Sequence, residues 1–273
     1  MPDTPAQLWR DLVAADPARP FITSYDASGG RVELSRATFD NWVSKTANML
    51  VDGFGSQPGD RVAAALPVHW QALVWLSACW SVGAVAEVSG DGGVPANAHV
   101  AVAGAAGLEA ALDSGAEEVV GTSLHPLGLP LPEVPPLVLD YSVEVRGYGD
   151  RFSPYPVDPQ APALSGPDGP RTGADLVAEG LRRARLWGLT GTDRVALILD
   201  AAAPLDALGR SAELLLGPMA VGAPLILTPP PADGTDPQDT WTRLEAERAT
   251  VFATAGDADL PGDAPLRRIS LAD

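Results

Sequence analysis

Gly59-Asp60-Arg61-Val62-Ala63, followed by Val82-Gly83-Ala84, is met a second time as Thr192-Asp193-Arg194-Val195-Ala196, followed by Val221-Gly222-Ala223. In each copy a polar turn runs into a short apolar stretch, and a helix-length segment then separates it from a glycine opening the next. The first copy predicts a strand over 62–66, a helix over 70–82 and a strand from 85. The second predicts a strand over 195–199, a helix over 205–221 and a strand over 225–227. Tags that agree in order and spacing mark an internal duplication. Strands alternating with helices imply parallel sheets with helices on both faces. The fold class is therefore α/β, two pseudo-repeated lobes of mostly parallel sheet flanked by helices.

Outward from these copies, Thr4-Pro5 supplies an N-cap and an N1 proline for a short helix with Leu8, Trp9 and Leu12 facing inward. The β-rich runs 21–25 and 31–34 flank Gly29-Gly30 and read as a hairpin. Ser35 caps an amphipathic helix in which Phe39, Trp42, Val43, Thr46, Ala47 and Leu50 share one face. Beyond the first copy, 100–103 and 119–120 read as strands joined by a helix over 108–114. A proline-rich connector over 124–162 holds only two strand-like pieces, 137–139 and 143–145, and reads as the seam between lobes at 1–155 and 156–273. A helix over 175–187, burying Val177, Leu181 and Ala184, leads into the second copy, and the Asp/Pro-rich tract 229–239 reads as a surface loop.

Composition narrows the partners. With 273 residues and 46% hydrophobic, the chain has ample material for a packed core. Lys+Arg 18 against Asp+Glu 35 gives a net charge of −17, which argues against nucleic acid and anionic membrane surfaces. A single cysteine, Cys79, excludes an internal disulfide and a Cys-rich zinc site and suits the cytoplasm. Met1-Pro2-Asp3 lacks the basic and apolar regions of a signal peptide. The uncharged run from Val62 to Ala86 imitates a membrane span, but Pro67, His69 and Gln71 interrupt it, so it reads as strand, loop and core helix.

The stretch 163–175, A-L-S-G-P-D-G-P-R-T-G-A-D, reads as a glycine-rich turn between an extended segment and a helix, where backbone N–H groups cradle phosphates. Pro167 and Pro170 have no N–H to offer, and Asp168 puts a negative charge where a phosphate would sit.

The order of hairpin, Leu34-Ser35 helix, P-G-D-R-V-A at 58–63, L-P-V-H-W at 66–70 and A-C-W-S-V-G-A-V at 78–85 resembles the AMP-forming acyl-CoA synthetases of the adenylate-forming superfamily. More narrowly, the chain resembles short proteins of high-GC Gram-positive bacteria that carry only the N-terminal portion of such enzymes. The segment 140–152, with Asp140-Tyr141, Glu144-Val145-Arg146 and Gly149-Asp150-Arg151-Phe152, has the look of that group. The family's phosphate loop reads roughly S-G-T-T-G-x-P-K-G. The resemblance makes Ser165, Gly166, Gly169, Arg171, Thr172 and Gly173 the candidate nucleotide-binding residues, in a degenerate form of that loop. Pro167 and Asp168 replace its two threonines; Thr172, or Arg171 with a one-residue shift, stands for its lysine. Each lost hydrogen bond to a charged group is worth about 1.5–3 kcal/mol. A carboxylate ~4 Å from a phosphate oxygen adds a repulsion of up to a few kcal/mol at an effective dielectric near 20. ATP is thus expected to bind in the millimolar range or weaker.

The resembled enzymes carry an adenine motif, a magnesium-binding segment and a C-terminal catalytic lysine further along; Pro265-Leu266-Arg267-Arg268-Ile269 resembles the strand just ahead of that adenine motif, and no lysine follows Lys45. The sequence therefore predicts no catalytic residue, no metal site and no resident cofactor, with weak ATP, AMP or acyl-adenylate binding as the most the loop allows. The expected role is a non-catalytic homologue that binds a protein, or an acyl or adenylate ligand between the lobes; the alternative is half of a split ligase completed by another chain. A homodimer or a protein partner is expected to cover an edge left by the second lobe. Of the remaining candidates, His69 reads as a residue at a helix start rather than a base. Trp70, Trp75 and Trp80 read as core for one or two and surface or interlobe contact for the rest, rather than an acyl pocket. Cys79 reads as inert filler, and His99 and His125 lack a second ligand at metal spacing.

Overall fold

Both copies of the repeat fold as parallel βαβ units. In the computed structural model, which describes residues 2–26, 28–154, 156–231, 237–254 and 266–272, the first half contains α1 (Pro5–Ala15), β1 (Pro20–Tyr25), β2 (Arg31–Ser35), α2 (Arg36–Asn48), β3 (Arg61–Ala65), α3 (Trp70–Val82), β4 (Val85–Glu87), β5 (Val100–Gly104), α4 (Leu108–Asp113), β6 (Glu118–Thr122), β7 (Val138–Asp140) and α5 (Tyr141–Glu144). The second contains β8 (Pro162–Gly166), β9 (Gly169–Thr172), α6 (Gly173–Leu186), β10 (Val195–Ile198), α7 (Glu213–Val221), β11 (Leu225–Thr228), α8 (Pro237–Ala246), β12 (Val251–Thr254) and β13 (Arg267–Arg268). One sheet has the order β7-β6-β5-β3-β4-β8-β9 and the other β13-β12-β10-β11-β1-β2. Among the described strands all pairings are parallel except the two hairpins, β1–β2 and β8–β9, and outside them an isolated antiparallel bridge joins Pro67 to Pro204.

The sheets are not divided at residue 155. The N-terminal hairpin belongs to the second sheet, where β1 pairs with β11, and the hairpin β8–β9 belongs to the first, where β8 pairs with β4. The two halves have exchanged hairpins, and the exchange is symmetric to the residue. Val62 pairs with Ala86 and Val100 in one sheet; Val195 pairs with Leu225 and Val251 in the other. Ala86 then pairs with Leu164, and Leu225 with Ile22. Both hairpins carry a register shift at the same point, between Pro20 and Ile22 and between Pro162 and Leu164. Both end in a hydroxyl residue, Ser35 or Thr172, that caps the next helix. The duplication read from two short tags extends to whole hairpin–helix–strand–helix–strand units.

At the centre lies α3, with every residue from Trp70 to Val82 buried. Its apolar periphery needs cover on all sides, which α1, α2 and the sheets provide. All three tryptophans are core: Trp70 is 1% exposed, Trp75 0% and Trp80 2%. The expected surface or interlobe role is corrected to this extent, although the Trp80 indole does bond the Ala163 carbonyl of β8 at 3.1 Å. Val62–Ala86 resolves into β3, α3 and β4, and among the described residues no helix is long and apolar enough to cross a membrane.

Three other expectations change. Val143 to Val145 is helical, because the Asp140 carboxylate caps it through Ser142 N and Val143 N at 2.8 and 3.3 Å. The helix expected over 205–221 splits into a 3₁₀ turn, Leu205–Leu208, and α7, with Ala212 at φ 51° between them. The loop expected over 229–239 turns into α8 at Pro237, and residues 232–236 lie outside the described residues. Among the described residues seven large apolar side chains are exposed, one of them, Leu186, on α6 of the second half. Six of the seven, Leu127, Leu129, Val134, Leu137, Leu139 and Val143, flank β7 at the edge of the first sheet, and Leu137 is 89% exposed.

Candidate functional site

The stretch read as a phosphate loop is a β-hairpin, not a turn between a strand and a helix. Gly166 pairs with Gly169, so Pro167 and Asp168 alone make the corner, and Gly169 takes φ 88°. Proline fixes the φ such a corner needs, aspartate follows, and glycine accepts the left-handed conformation. The Pro167-Asp168-Gly169 triplet is the sequence signal for this tight turn, and it explains why the expected open loop is absent. The tip offers a triphosphate a ring without an N–H and a carboxylate, so its residues do not fit that group. Asp168 is instead paired with Arg210, 3.4 Å away, which reaches over from the turn before α7.

The six candidate residues are dispersed. The Ser165 carbonyl accepts from Val88 N at 2.9 Å, within the sheet. Gly166 lies beside Val88 and Asp206, and with Pro167 it borders a shallow cleft over Ser89, Gly90 and Asp91. Thr172 closes a capping box on α6: its hydroxyl accepts from Asp175 N at 3.1 Å, and its own N–H donates to the Asp175 carboxylate at 3.2 Å. Gly173 packs against Pro5 and the Pro159 carbonyl. Arg171 faces a different cleft, between α6 and the segment 210–213. Gly169 supplies only the turn geometry. Gly166 and Arg171 thus line two different clefts.

A second cavity, of about 140 Å³, sits at the carboxyl ends of parallel strands from both sheets, where open α/β sheets place ligands. Tyr25 and Asp26, His69, Leu199 and Asp200, and Thr228 line it. It was not legible in the sequence, because its walls come from the ends of five strands, β1, β3, β6, β10 and β11, that lie far apart along the chain. The His69 ring caps α3 by accepting from Gln71 N at 3.3 Å, the helix-start role expected of it. Burial pushes its pKa down to about 4, with the Asp26 charge opposing only in part. A neutral imidazole with one nitrogen committed to a cap is poorly matched to general-base work near neutral pH. Cys79 is fully buried and its thiol is pushed up to about 12 by desolvation, as inert packing requires. His99 is tied to Glu117 and the Phe54 carbonyl at 3.0 and 2.9 Å.

Two pseudo-symmetric parallel sheets, each fed by a hairpin, with a small cavity where their strand ends meet, define a two-sheet α/β domain. The AMP-binding enzyme family profile matches residues 9–140. A TIGR03089 family protein of Mycobacterium tuberculosis is 35% identical over 243 residues, which cover 88% of this chain and 93% of that protein. The chain belongs to the TIGR03089 family. The crystal structure of a Brucella canis acyl-CoA synthetase shares the fold, with a TM-score of 0.69 at 17% identity. The match covers 90% of this chain and 47% of that one, so the chain spans about half the length of the synthetase.

Proposed function

We propose that this chain is a non-catalytic relative of the synthetase N-terminal region, acting by binding a protein partner or a small ligand rather than by forming acyl-adenylates. One observation carries the reading: the hairpin tip that would face a triphosphate is a two-residue Pro167-Asp168 corner whose carboxylate is paired with Arg210. Loss of two donors at about 1.5–3 kcal/mol each, with an added carboxylate, outweighs what one arginine returns. The exposed apolar strip around β7 supports a protein-binding role, with a second copy or another chain as its cover. The test is carboxylate-dependent exchange of pyrophosphate into ATP by the purified chain. No exchange above a protein-free blank is expected; exchange by the chain alone overturns the reading.

The coverage of 47% of a synthetase by so complete a fold match favours a second reading, half of a split ligase. Recovery from cell extract of a stoichiometric lysine-bearing C-terminal-domain chain, with exchange activity in the complex only, would establish it over the first.

A further inference from the structure

In a chain with a net charge of −17, four arginines from three elements converge on one cleft of about 460 Å³: Arg171 on β9, Arg182 and Arg183 on α6, and Arg210 before α7. The acids beside them are already committed. Asp175 holds the capping box, Glu179 holds Arg182 and Arg183 at 2.7 and 3.0 Å, and the buried Glu213 accepts from Ser211 N at 2.9 Å. Two donors are left over. Arg171 Nε is buried without a hydrogen-bond partner, and so is Nη1 of Arg183, a side chain whose residue is only 9% exposed. Among the described residues no hydrogen bond or ion pair holds the Arg171 side chain. Arg210 has only its 3.4 Å contact with Asp168, and both of those side chains are more than half exposed. Buried charged donors without acceptors are costly, and a guanidinium cannot shed its charge to escape.

We infer that this cleft is an oxyanion site for the phosphate group of a small phosphorylated molecule. A carboxylate presents one planar edge and suits one guanidinium. Arginines approaching from a strand, a helix and a turn match oxygens that point in several directions, as those of a phosphate do. The cleft exceeds a lone phosphate, leaving room for the organic body of an ester. The site shares no lining residue with the Gly166–Pro167 cleft, and it does not depend on whether the chain adenylates anything.

Calorimetric titration of the whole chain with inorganic phosphate and with phenyl phosphate, and with succinate at matched ionic strength as the planar control, tests this. Both phosphates are expected to bind more tightly than succinate. Arg171→Gln with Arg210→Gln, at exposed or half-buried positions, is expected to weaken phosphate binding about tenfold or more while the circular dichroism spectrum is kept. Asp168→Asn, which frees Arg210, is expected to strengthen it. Unchanged affinity in the double variant, succinate binding as well as phosphate, or no phosphate binding in the millimolar range would each overturn the inference. Pyrophosphate exchange is scored separately, so failure here leaves the proposed function standing, and the reverse.

Discussion

Glu247 follows α8 and is buried, yet it is charged. Its carboxylate accepts from the Tyr25 hydroxyl at 2.6 Å, from Arg31 Nε at 2.7 Å and from Arg194 at 3.3 Å, which ties β1, β2 and β10 to the helix that covers them. Burial alone would raise its pKa; the hydrogen bonds from Arg31 and Tyr25 and the charges of Arg31 and Arg194 outweigh that and hold it below 4.5. A carboxyl lowered in this way contributes its full stability above the unfolded value, and loses it as pH falls through the folded one. Glu247→Gln is therefore expected to cost about 1–3 kcal/mol near neutral pH, toward the lower end because Arg31 is partly solvated. In urea titrations the gap between wild type and variant should shrink as the pH drops below 4.5. A gap that stays constant to lower pH would show that the charge contributes nothing. None of this was legible in the sequence, since Tyr25, Arg31 and Glu247 meet only across more than 200 residues of chain. By contrast, the roles of Thr4, Ser35 and His69 are local: each bonds an N–H two or three residues on, and sequence order suffices to see it.

At the scale of elements, the sequence pattern located α2, α3 and most strands because their periodicity and caps are strong and local. It misjudged β9, because Pro170 and the pair of glycines around Pro167-Asp168 look like a loop, and only the ladder to β8 makes them a strand. The contact of α6 with α7 shows what periodicity leaves out. A Cβ built on Gly180 would meet Leu216 at 2.9 Å from its Cβ and 3.0 Å from its backbone, so the helices cross where only glycine fits. Gly180→Ala gains about 1 kcal/mol of helix propensity. It also forces two packed helices apart, at a typical cost of about 1–3 kcal/mol. The second effect should win, because the obstructing atoms are partly backbone and do not swing aside. A lowered midpoint in thermal unfolding, with helix content unchanged before the transition, is the expected result; a raised midpoint would mean that α7 shifts freely.

For the whole molecule, the exchange of hairpins decides how the chain must unfold. Cut at the seam expected from the proline-rich connector, residues 1–155 keep β3 to β7 but strand β1–β2, whose parallel partner β11 is in the other piece. Residues 156–273 keep β10 to β13 but strand β8–β9, whose partner is β4. Each piece would also expose a sheet edge that the missing hairpin covers, in strands apolar enough to aggregate. The main core is continuous across the cut, joining Trp9, Phe21 and Phe39 to Leu176, Leu216 and Leu225 through α3. The buried Arg36 adds a polar tie, donating to the Leu12 carbonyl in α1 and to the Gly222 carbonyl past α7 at 2.9 and 3.0 Å. Two lobes that could fold separately would give two transitions; a shared core and crossed hairpins require one. Calorimetry of the intact chain should therefore show a single peak whose calorimetric and van't Hoff enthalpies agree. The two pieces produced apart should lack a cooperative transition, and mixing them should restore it, since the strand pairings need proximity rather than a covalent link. A cooperative melt by residues 1–155 alone would show that the first sheet tolerates an empty edge, and that the crossed hairpins decorate two independent lobes instead of joining them.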